Sequence, residues 1–139
     1  MDTINCSGSC LCGAVKYRVK GTVSRFTLCH CGRCRKATGS ERTSNIMLSN
    51  AQLEWLSGKE RVSSYKLPNA EHYLTTFCGD CGSPLPRQVI EIEMIAVPAG
   101  SLDEDPGINP QAHIFWDSRA QWLEPDAALP KHAEYPPGV

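Results

Sequence analysis

Over 139 residues the chain carries 41% hydrophobic and 21% charged side chains, the balance of a soluble globular protein long enough for one domain with its own core. A formal net charge of −1 provides no basic field for nucleic acid or an anionic membrane, and seven metal-bound thiolates around two divalent ions would take it to about −4 (−1 − 7 + 4). No run approaches the ~20 apolar residues of a membrane span, and the opening MDTINCSGSC has neither the basic patch nor the apolar stretch of a signal peptide. The sequence therefore reads as cytoplasmic, where thiols stay reduced and eight cysteines point to metal or catalysis before disulfides.

Taken in chain order, the elements are mostly strands. Val15, Tyr17 and Val19 alternate with Lys16, Arg18 and Lys20, the period-two mark of a half-buried strand. Short strands are expected at 23–29, 43–49, 53–57, 61–67 and 72–78, several of them bounded by Gly, Asn or Pro. Between the first two of these, residues 33–38 suit a short helix stopped by Gly39. In VIEIEMIAVPAG (89–100), β-branched residues alternate with Glu91 and Glu93, which predicts one further strong strand. A helical turn is expected at 118–123. From there a proline-rich tail (125–139) should lie on the surface or fray. No internal repeat, linker or low-complexity segment interrupts the chain.

Cysteine spacing carries most of the chemistry. Cys6 stands apart, followed by Cys10 and Cys12, then Cys29, Cys31 and Cys34, then Cys78 and Cys81. Zinc–sulfur bonds of ~2.3 Å in a tetrahedron place sulfurs ~3.8 Å apart, a demand that pairs on tight turns can meet. Gly82, directly after Cys81, permits the positive φ with which such a knuckle closes. Scattered cysteines would be small core hydrophobes, but seven of these eight are clustered. A redox Cys-x-x-Cys belongs beside a βαβ pattern; here Cys78 and Cys81 lead into SPLP, whose prolines forbid a helix interior. Spacing leaves open whether the metal is zinc or iron, and which pairs share an ion.

GSCLCGAVKYRV (8–19), CHCGRCRKATGS (29–40), TFCGDCGSPL (76–85), PAGSLDEDP (98–106) and HIFWDSRAQWL (113–123) occur in that order. This series resembles the glutathione-dependent formaldehyde-activating enzyme family, also called the centromere protein V/GFA domain, over nearly the whole chain. The resemblance implies a mainly β, Mss4-like fold: a β-tent of small antiparallel sheets with one or two short helices and two zinc ions, in a single domain over 1–139. It assigns Cys10, Cys12, Cys78 and Cys81 to a structural zinc. It gives Cys29, Cys31 and Cys34 a second zinc with one coordination position open. It also implies carbon–sulfur lyase activity that joins glutathione and formaldehyde as S-hydroxymethylglutathione.

Physical reasoning stands beside the resemblance. A metal deprotonates a coordinated thiol outright, so an open three-thiolate site suits a thiol substrate. Three thiolates overcompensate the ion's charge, which makes it poor at activating water and better at gathering a soft sulfur. Arg33, Arg35 and Lys36 stand beside this site as contacts for an anionic thiol, or as a solvated helix face. His30 reads as a hydrogen-bonded histidine rather than a ligand, and His113 as buried and structural. Trp55, Trp116 and Trp122 read as core or pocket wall, and Asp103, Glu104 and Asp105 as an acidic turn, since EF-hand spacing is absent. Arg42 stands where many members of the family place an aromatic. Cys6 is either a free thiol or a fourth ligand capping the open site. The alternative to an enzyme is a non-catalytic zinc module that binds a protein partner, and a protein side chain as fourth ligand would favour it.

Overall fold

The computed structural model describes residues 1–123 and 128–138. It is mainly β. A six-stranded sheet runs in the order β1-β2-β3-β7-β6 with β8 added to β2, and β4 and β5 form a separate two-stranded sheet.

β1 (Thr3–Ser9) precedes the first strand expected from the sequence and pairs antiparallel with β2 (Lys16–Cys29), Gly8 opposite Tyr17. Its Asn, Ser and Gly content hides it, yet Ile4, Cys6 and Gly8 alternate inward as a strand requires. Tyr17 is fully buried, and its hydroxyl lies 2.6 Å from Ser101 Oγ. A methyl group at Gly8 would collide with the Tyr17 ring and the Ser101 carbonyl. Gly8→Ala is therefore expected to destabilise the protein by about 1–3 kcal/mol, the usual cost of overpacking. An unchanged denaturant midpoint would refute this.

β2 and β3 (Thr43–Ser57) are each one long strand where the sequence suggested two. Bulges explain the difference. The register shifts at Lys20/Thr22 and at Val23/Arg25, and Asn50 takes φ 46°, so the alternation breaks while the ladder continues. Val15, Val19, Ile46, Leu48, Leu85 and Val97 pack the core around Tyr17.

The helix forms where expected. α1 (Gly32–Thr38) is capped by the Cys31 sulfur, which accepts from Cys34 N–H, and it ends at Gly39 with φ 68°. β4 (Val62–Lys66) and β5 (Leu74–Cys78) match two further expectations and form an antiparallel pair.

The expected strand at 89–100 is not one strand. β6 (Arg87–Val89) turns through a 3₁₀ segment at Ile90–Ile92 and through Glu93, at φ 52°, into β7 (Met94–Pro98). Val89 pairs with Met94, so residues 90–93 form a hairpin loop whose Ile/Glu alternation mimics a strand. Ile90 is 79% exposed, which a core-facing strand residue would not be.

β8 (Ala112–Ile114), unforeseen in the sequence, runs parallel to the last three residues of β2, Leu28 beside His113. The helical turn expected at 118–123 is two 3₁₀ turns, Trp116–Ser118 and Gln121–Leu123. Of the expected tail, residues 128–138 are exposed, and 125–127 and 139 lie outside the described residues.

Candidate metal centres

The first cluster joins the β1–β2 turn to the end of β5. Cys10 and Cys12 lie on a turn closed by Gly13 (φ 78°), with Cys10 N–H donating to the Val15 carbonyl at 3.0 Å. Cys78 ends β5, and Cys81 follows on a knuckle closed by Gly82 (φ 77°), whose N–H donates to the Cys78 carbonyl at 2.8 Å. All four sulfurs lie within 4.8 Å of one another. The Cys10–Cys12 separation is 3.5 Å and Cys12–Cys78 is 3.9 Å, which brackets the ~3.8 Å edge of a tetrahedral tetrathiolate. The donor set fits one ion.

Ser83 ties the two halves together. Its Oγ accepts from Leu11 N–H at 2.8 Å and sits 3.3 Å from the Cys81 sulfur. The Ser83 hydroxyl first, then the Ser83 and Cys12 backbone N–H groups, hold the Cys81 thiol down at about 5. Cys81 thus favours the thiolate form that a metal takes.

The second cluster is local. Cys29 ends β2, Cys31 caps α1 and Cys34 lies within it, their sulfurs also within 4.8 Å. The set has three members, and Cys6 belongs to neither cluster: it is 5% exposed in the core. Burial pushes the Cys34 thiol up to about 12. Three soft donors, with no fourth among the described residues, fit an ion with one coordination position to spare.

Two faces flank this cluster. On one, His30 is fully buried with its Nε2 2.8 Å from His113 Nδ1, and its ring meets Trp116 edge-on. Its N–H donates to the Ile114 carbonyl at 3.0 Å, so β8 clamps the turn between Cys29 and Cys31. Burial, then the neighbouring His113, lowers the His30 pKa. A hydrogen-bonded histidine is what the sequence suggested. His113, however, is exposed rather than buried, because three-residue β8 covers β2 while its own outer side faces solvent. Trp55 packs edge-on against Tyr17, whereas Trp122, 69% exposed, is neither core nor wall.

On the other face a groove of ≈1310 Å3 passes Cys34 and reaches Cys10 of the first cluster. Arg33, Lys36 and Arg42 line it; Arg35 does not, and its buried Nε has no hydrogen-bond partner among the described residues. Arg42 pairs with Glu41 at 3.5 Å. Tyr73 and Arg87 are among the lining residues that the sequence did not single out. Burial, then the adjacent Cys34, raises the Tyr73 phenol above its ordinary range, and the Arg33 guanidinium lies 5.8 Å from the Tyr73 ring centroid. No spacing rule would have found either residue, since both are far from Cys34 in sequence. The acidic turn is as expected: Ser9 donates to Asp103, Ser7 to Glu104, and Gly107 N–H to Asp105.

The chain is similar to known proteins in fold and in sequence. A crystal structure of a Rhodobacter sphaeroides protein superposes with a TM-score of 0.56 over 77% of this chain and 97% of its own, at 22% identity, which supports the fold. A Halomonas elongata protein named "Putative glutathione-dependent formaldehyde-activating enzyme" is 29% identical over 130 residues, 84% of this chain and 78% of its own. The profile of the glutathione-dependent formaldehyde-activating enzyme family matches residues 5–118. With its Mss4-like β architecture and paired cysteine clusters, the chain belongs to that family.

Proposed function

We propose that the protein is a zinc-dependent carbon–sulfur lyase acting on a small thiol adduct, with glutathione and formaldehyde as the leading pair. The observation that carries this reading is the three-member cluster of Cys29, Cys31 and Cys34 beside a groove. A protein-binding zinc module would close its ion with a fourth side chain. Cys6, the candidate for that position, is buried elsewhere.

Cys10, Cys12, Cys78 and Cys81 would hold a structural zinc, and Cys29, Cys31 and Cys34 a second one. Bound there, zinc would take up a substrate thiol in its deprotonated form. In the proposed reaction the sulfur lone pair forms a bond to the aldehyde carbon. The carbonyl π pair moves to oxygen, and the proton lost by the thiol ends on that oxygen. The reverse direction breaks the same bond. Tyr73 remains a phenol beside Cys34 and supplies a hydrogen-bond donor at the groove wall. Tyr65, Phe77 and Leu85 add apolar surface to the groove lining.

The direct test follows exchange between glutathione, formaldehyde and the hydroxymethyl adduct by NMR. Exchange faster than the uncatalysed rate is expected. No acceleration with any small thiol and aldehyde would sink the lyase reading. Elemental analysis of purified protein is expected to return two zinc ions per chain; a single metal, or iron, would remove the two-zinc assignment.

A further inference from the structure

Arg87 opens β6, pairs across to Ala96 and lines the groove with Cys34 and Tyr73. It is half-buried. Three arginines of the fold are ion-paired, Arg18 with Glu104, Arg42 with Glu41 and Arg61 with Asp80. Among the described residues none forms an ion pair with Arg87. Glu91 acts on it only at longer range, with its own carboxylate 3.5 Å from His72 Nδ1. Burial lowers the Arg87 pKa, the mark of a charge withdrawn from water without a counter-ion. Such a cost is offset when an anion arrives, and a guanidinium offers forked donors that match a carboxylate.

We propose that Arg87 is a specificity-determining residue that anchors a carboxylate of the thiol substrate while the thiol occupies the open cysteine site. The proposal rests on the thiol-binding reading above and refines it. Arg33 and Lys36 are exposed, so salt screens them within ~8 Å at physiological ionic strength. Arg87 is sheltered, and its selectivity should survive salt.

The test uses the full chain loaded with cobalt, whose sulfur-to-metal absorption reports a thiol entering the site. The probes are 3-mercaptopropionate and its uncharged amide. The wild-type protein is expected to prefer the carboxylate at least tenfold, at 0.15 M and at 0.5 M NaCl alike. In Arg87→Gln the preference should fall to about one while the affinity for the amide is retained, which also shows that the variant is folded. Arg33→Gln should keep the preference. Equal wild-type affinities overturn the proposal but leave the thiol reading intact. So does a preference that survives Arg87→Gln or vanishes in 0.5 M salt. An Arg87→Gln protein that loses both probes alike marks the residue as structural and overturns it too. Absorption unmoved by either probe overturns the thiol reading and this proposal together.

Discussion

Cys81→Ser is expected to yield little or no soluble protein. The sheet of β4 and β5 stands outside the six-stranded sheet, and a two-stranded ribbon is marginal on its own in water. A metal ion held by the four-cysteine cluster would fasten it, joining Cys12 to Cys78 across 66 positions of chain. Structural zinc in small peptides contributes on the order of 10–16 kcal/mol at neutral pH. Losing a large part of that rivals the ~5–15 kcal/mol by which domains are stable at all. Cys81 also lies in the knuckle whose Ser83 holds Leu11 N–H, so the damage would reach the β1–β2 turn. Expression and solubility, followed by circular dichroism of any soluble fraction, check this. A folded Cys81→Ser protein with a native-like melt would show that the cluster does not hold the sheets together.

Cys31→Ser is expected to do the opposite: exchange falls to the uncatalysed rate while the protein keeps a cooperative melt. Its cluster spans only residues 29–34, so an ion there closes almost no chain. Serine also preserves the local structure. The Cys31 sulfur accepts the Cys34 N–H at the start of α1, and a serine hydroxyl is among the best groups for that position. The readouts are elemental analysis, the NMR exchange rate and thermal unfolding. If Cys31→Ser collapses as badly as Cys81→Ser, the second cluster is structural and the enzyme reading falls.

What the sequence disclosed follows from how local each signal is. The cysteine groups and the helix stopped by Gly39 depend on neighbours a few positions apart, and all stand in the fold. The β6–β7 hairpin was hidden because Ile90, Glu91, Ile92 and Glu93 alternate like a strand while their backbone turns. β1 and β8 are decided by pairing with β2, a contact that composition does not record. Tyr73 and Arg87 reach Cys34 only through tertiary packing. His113 had the right neighbourhood and the wrong exposure, because a three-residue strand can cover its neighbour without being covered itself.

The long β2 strand has a consequence for the chain as it is made. Cys10 and Cys12 leave the ribosome well before Cys78, which follows Cys12 by 66 residues. At ~5–20 residues per second that is a wait of roughly 3–13 s. During it the nascent segment offers Cys29, Cys31 and Cys34 as rival partners, and a mixed site would be a kinetic trap. Extension of β2 between the two sets, with β1 zipped along its first half, sets them at opposite ends of one strand and opposes the mismatch. The ladder continues through its bulges, where two short strands with a flexible joint would let the ends meet. A proline at Val23, which would remove the N–H that donates to the Asp2 carbonyl beside β1, is therefore expected to raise the fraction of chains with wrongly shared metal during synthesis. Refolding of the finished chain, which offers all seven clustered cysteines to the metal at once, should be less affected.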